Sequence, residues 1–144
     1  MEERDTIELL KECDAGVKMG ISSIDEILES VENDKLKRIL EESKKEHEKY
    51  RHETENLLQK DGESEKEPSP IAKGMSWIKT NAKMVMDSSD ETIADLITDG
   101  CHMGIKSLQR YLNQYKAADE KSKDIARNII SIEDDLLKGL RNYL

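Results

Sequence analysis

At 144 residues the chain has the length of one domain, and at that size roughly two-thirds of the unfolded surface can be buried. Charged residues make up 38% of it and aromatic residues only 3%, with no phenylalanine, which excludes a sheet-rich core and points to long amphipathic helices packed through Leu, Ile, Val and Met. A formal charge of −9 without a concentrated basic stripe excludes nucleic acid as a partner, and no apolar run approaches the ~20 residues of a membrane span.

The acidic start, Met1 to Asp5, lacks the apolar core of a secretory signal. Two cysteines, Cys13 and Cys101, do not make a disulfide framework. The expected setting is therefore the reduced cytoplasm.

The first helix is expected from about Thr6 to Val31, with Asp5 and Glu8 as a variant capping box. Ile7, Leu10, Val17, Ile21, Ile24, Leu28 and Val31 repeat at alternating spacings of three and four once position 14 is counted, which is the seam of a helical bundle. Asp14 is the polar exception in that seam. Gly16 and Gly20 fall on one smooth flank, with Cys13 nearby.

Asn33 and Asp34 break the pattern and cap a second helix over about Lys35 to Lys60. Its seam reads Leu36, Leu40, Ser43, His47, Tyr50, Thr54 and Leu57, polar in the middle. In an antiparallel hairpin over about 6–60, Asp14 lies level with His47 to Tyr50. Asp14, Ser43, His47 and Tyr50 are therefore expected to form a buried polar cluster in which Asp14 meets His47 or Tyr50, because a buried carboxylate needs a partner. The role expected of the cluster is to fix register. Its alternative role is a small-ligand or metal site built on Asp14 and His47.

Residues 61–69 are polar and read as a linker. Ser69 and Pro70 open a short crossover helix over about 70–87, with Ile71, Met75, Ile78, Ala82 and Val85 on one face, Trp77 beside it, and Lys73, Lys79 and Lys83 off that face. Ser88 and Glu91 form a capping box for the next helix. The second hairpin spans about 89–143. One helix carries Ile93, Leu96, Ile97, Cys101, Met103, Ile105, Leu108, Tyr111 and Leu112, and the other carries Ile125, Ile129, Ile132, Leu136, Leu140 and Tyr143. Cys13 and Cys101 read as small buried hydrophobes, and Met19 and Met103 as core filling.

Part of the chain is written twice. Shifted by 84 residues, Glu12–Leu28 falls on Leu96–Leu112 with six identical pairs in 17: Gly16/Gly100, Met19/Met103, Gly20/Gly104, Ile21/Ile105, Ser23/Ser107 and Leu28/Leu112. A mid-helix glycine costs roughly 1 kcal/mol relative to alanine, so paired glycines call for a packing reason. The expectation is a duplicated hairpin about a pseudo-twofold axis, with Gly16, Gly20, Gly100 and Gly104 as points of close helix–helix contact.

Two hairpins joined by a long crossover follow the plan of ferritin-like bundles. The chain also resembles a family of small bacterial proteins of the ferritin-like superfamily. The matching segments are Leu9-Leu10-Lys11-Glu12-Cys13-Asp14-Ala15-Gly16, Lys73-Gly74-Met75-Ser76-Trp77-Ile78-Lys79 and Ala94-Asp95-Leu96-Ile97-Thr98-Asp99-Gly100-Cys101. The resemblance implies an all-α, ferritin-like up-down four-helix bundle with an extra crossover helix. Metal proteins of that superfamily place Glu-x-x-His on two helices. Here Lys44 stands three before His47, Lys49 three before His52 and Asp99 three before His102, and the last helix has no histidine. His47 and His52 are five apart, so they diverge around the helix and cannot share an ion as His-Glu-x-x-His does. No cofactor is expected, with a divalent metal ion as the alternative. The function expected is a non-catalytic structural or interaction role with a second copy or another protein as partner, and the alternative is a metal-binding protein with a reduced site.

Overall fold

The computed structural model describes residues 2–62 and 87–144, and the expected linker and crossover helix, with Trp77, lie mostly outside that range. The described residues form four long helices: α1 (Glu2–Ile27), α2 (Asp34–Lys60), α3 (Asp90–Gln114) and α4 (Glu120–Leu140). Single 3-10 turns follow α1 at Leu28–Ser30 and α4 at Arg141–Tyr143. Among the described residues there is no strand, and no helix is long and apolar enough to cross a membrane.

The helix ends are set by side chains that satisfy otherwise orphaned amides. Asn33 Oδ1 accepts from the Lys35 and Leu36 amides, and Asp119 accepts from that of Ser122. Gly62, with φ +74°, ends α2 by donating to Gln59, a left-handed stop that a glycine reaches without strain. Two caps differ from expectation. Ser89, not Ser88, caps α3 by accepting from the Thr92 amide. The first helix begins at Glu2 rather than Thr6, so Asp5 and Thr6 are helical and free to make tertiary bonds.

Those tertiary bonds are reciprocal. Asp5 and Thr6, at the start of α1, accept the amides of Ala117 and Asp119 in the α3–α4 turn. Asp90, at the start of α3, accepts the amides of Glu32 and Asn33 in the α1–α2 turn, both at 2.9 Å. Each hairpin's first helix thus holds the other hairpin's turn, and α1 and α3 run in opposite directions. Along α1 and α2, Asp14 meets Thr54, Gly20 meets His47 and Asp25 meets Lys44, so these two are antiparallel as well. Ile39 against Gly139 and His47 against Glu133 give the same relation for α2 and α4. The chain therefore leaves α2 at one end of the bundle and enters α3 at the other.

The apolar core is divided in two. One cluster gathers Ile24, Ile27, Leu36, Leu40, Ile93, Ile97, Leu136 and Leu140, and the other gathers Leu9, Leu10, Val17, Tyr50, Leu58, Leu108, Ile125 and Ile129. Burying each such side chain contributes about 1.5–3 kcal/mol, so both halves are substantial. Between them every helix presents a small or polar residue: Gly20 on α1, His47 on α2, Gly104 on α3 and Glu133 on α4. This middle layer is where the bundle departs from plain packing.

Candidate functional site

The middle layer is built on a buried pair. His47 is 1% exposed and Glu133 8%. His47 Nδ1 donates to the Ser43 carbonyl one turn back at 2.7 Å, and Nε2 lies 2.7 Å from Glu133 Oε1. With Nδ1 committed as a donor, the proton on the Nε2–Oε1 contact ties the two helices together as imidazolium and carboxylate. Burial of the ring opposes its charge. The bond to Glu133, that carboxylate's charge, the Ser43 carbonyl and Glu46 outweigh burial and hold the imidazolium above its ordinary value of 6.5.

The room for His47 comes from Gly20. A Cβ at that position would lie 2.8 Å from His47 Cδ2 and 2.9 Å from Nε2, closer than carbon atoms pack. On the opposite pair of helices, a Cβ at Gly104 would lie 3.6 Å from the Glu133 carboxyl carbon, in ordinary contact. At Gly16 it would meet nothing within 4 Å, and Gly16 is exposed. Of the close helix–helix contacts expected at the glycines, Gly20 makes one, with His47 of α2, and Gly16 makes none. Gly16, Gly20, Gly100 and Gly104 all border one cleft of about 390 Å³ between α1 and α3, with His47 and Glu133 at its floor. Gly16 leaves open space, and Gly20 leaves room for the ring that reaches in from α2.

The walls of the cleft carry the repeated residues. Gly16, Met19, Gly20 and Ser23 line it from α1, and Gly100, Met103, Gly104 and Ser107 line it from α3. Met19 and Met103 are accordingly wall residues instead of core filling, and Met103 is 52% exposed. Cys101 also lines the cleft. Burial, then the charge of Glu133 and a bond to it, push its thiol far up, and burial followed by the charge of Asp14 pushes the Cys13 thiol up to about 12. Both are thiols rather than thiolates at neutral pH and are poor nucleophiles.

The four residues expected to cluster are all buried, but they do not form one network. Asp14, 0% exposed, takes a hydrogen bond from Thr54 Oγ1 at 3.1 Å and pairs with Lys18 Nζ at 2.9 Å, while His47 turns to Ser43 and Glu133. The reason is register: Asp14 sits one helical turn beyond the level of Tyr50, where Thr54 faces it. Tyr50 packs in the apolar cluster, with Lys49 Nζ 5.3 Å above its ring. His47 is interior, whereas His52 and His102 are exposed. Among the described residues, no three His, Cys, Asp or Glu side chains converge as a metal site.

Glu133 was the residue missed. The expected seam on the last helix passed through Ile132, whereas Glu133 takes the inward position and Ile132 is half-buried. The signal was present, since 133 follows Ile129 by four and precedes Leu136 by three. No family model, curated protein or solved structure matches the chain.

The His47–Glu133 pair predicts a specific pH dependence. Because the folded imidazolium titrates above 6.5, its contribution is complete below about pH 6.5 and is lost as pH rises through the folded value. Urea melts between pH 5.5 and 9 are expected to show stability falling across that upper range. In Glu133→Gln, where burial of the ring remains without its counter-charge, that fall disappears. Glu46 on the same helix and Cys101 beside Glu133 are the other titratable groups at the pair.

Proposed function

We propose that the chain is a duplicated hairpin on the ferritin-like plan that binds a small, largely apolar molecule in the cleft between α1 and α3 and performs no chemistry on it. The observation that carries this reading is that the same four residue types of the repeat line the cleft from both walls. A cavity of about 390 Å³ falls within the roughly 300–1,000 Å³ of small-molecule sites, which are mostly apolar with a few polar groups. Methionine at the walls suits ligands of irregular shape.

The duplication is supported by positions as well as identities. His47 and Glu133 occupy the same place relative to the starts of α2 and α4, and each is faced by the second glycine of its own hairpin, Gly20 or Gly104. The reciprocal turn contacts obey the same approximate twofold. A binding role without catalysis is supported by a histidine with both ring nitrogens engaged and by two thiols held protonated.

The test uses protein carrying ¹³C-methyl methionine and the neutral probe 1-naphthalenemethanol. Saturable shifts of the Met19 and Met103 methyl signals are expected. Gly16→Leu, which projects into open space, is expected to weaken binding about tenfold or more while the protein stays folded. Unmoved Met19 and Met103 signals, or unchanged affinity in Gly16→Leu, would overturn the reading.

A further inference from the structure

Resting on that reading of the cleft, we infer that its ligand is a cationic amphiphile, an apolar amine held as its ammonium by Glu133. The ionisable groups lining the cleft are Glu12 on α1, Glu133 on α4 and His47 on α2, and among the described residues no lysine or arginine lines it. Among the described residues, an anion entering the cleft would meet the Glu133 carboxylate and no lysine or arginine. The chain's charge of −9 adds a general field that attracts cations.

Glu133 has capacity for a second partner. A carboxylate offers about four acceptor positions. One is used by His47. The absence of a side chain at Gly104 leaves the carboxyl group uncovered toward the cleft, since a Cβ there would already lie against it. A charge-assisted bond from an ammonium to a carboxylate at the floor of an apolar cleft is roughly twice as strong as a neutral one. The Tyr111 ring and the sulfurs of Met19 and Met103 give the walls polarizable surface that also favours a cation.

The imidazolium of His47 competes for the same carboxylate. The ammonium therefore binds better once His47 has lost its proton, and its affinity rises with pH as long as the amine itself stays charged. Glu12, Glu46, Glu133 and Cys101 are the titratable groups that act on this balance.

Three isosteric probes separate the outcomes: 1-naphthylmethylammonium, 1-naphthalenemethanol and 1-naphthoate, each followed by the Met19 and Met103 methyl signals. The ammonium is expected to bind about tenfold tighter than the alcohol, with naphthoate weakest and only the ammonium gaining affinity as pH rises. Glu133→Gln removes the ammonium's advantage and leaves the alcohol's affinity in place. Since that substitution also disturbs His47, His47→Gln serves as a second variant, expected to keep the ammonium's advantage and to abolish its gain with pH. Equal binding of all three probes overturns the cationic ligand and leaves the cleft standing. Tightest binding by naphthoate, or an undiminished ammonium advantage in Glu133→Gln, overturns it too. Failure of every probe overturns the cleft reading itself.

Discussion

Replacing Glu133 with alanine is expected to destabilise the protein by roughly 3–5 kcal/mol, the usual cost of removing one member of a buried ion pair. The magnitude follows from what is left behind. His47 is 1% exposed, its Nδ1 is already committed to Ser43, and Nε2 would face a void in the middle of the bundle. His47→Leu alone strands the carboxylate of Glu133 in the same way. Exchanging both residues for apolar ones, His47→Leu with Glu133→Met, is expected to restore most of the loss and even exceed the parent, because desolvating the two charges costs nearly as much as their attraction returns. Urea denaturation of the two single variants and the double variant closes the cycle. A double variant as unstable as the sum of the singles would mean that the two side chains do not act as a pair.

The second large effect is at Gly20. Glycine to alanine inside a helix ordinarily adds up to about 1 kcal/mol. At Gly20 the new methyl would lie 2.8 Å from a ring pinned at both nitrogens, so His47 must give up its bond to Glu133 or the helices must part. Overpacking of this kind costs about 1–3 kcal/mol, and the expected net result is a loss of about 1–2 kcal/mol. Gly16→Ala is expected to be stabilising by about 0.5–1 kcal/mol, since its methyl meets nothing. Gly104→Ala, with an ordinary contact at 3.6 Å, is expected to fall between the two. Thermal melts of the three variants test the ranking, and a Gly20→Ala protein as stable as Gly16→Ala would refute the account of the His47 niche.

The helices were legible because their seams are long and periodic. Leu36, Leu40, Ser43, His47, Tyr50 and Thr54 are all inward, as the spacing of α2 requires. The site was legible only in part. The glycine repeat marked the right surface, but spacing along a helix does not say whether a bare flank meets another backbone or an open space, and here it borders a cleft. Asp14 was rightly placed inside, yet its partner depended on a shift of a single turn between α1 and α2. Glu133 escaped because a charged residue beside an isoleucine invites the apolar neighbour as the inward choice. What reverses that choice is His47 on a helix distant in sequence, a fact that no local pattern contains.

The grip of each hairpin's leading helix on the other's turn has a bearing on how the molecule opens. Inter-helix turns are ordinarily the first places to loosen. Here the amides of Glu32, Asn33, Ala117 and Asp119 are fastened to the opposite half of the chain, so opening either turn also breaks contacts between the two halves. Severing the halves would strip both turns of their fastenings at once. The bundle is thereby fastened at its two extremities, on either side of the layer that holds His47 and Glu133.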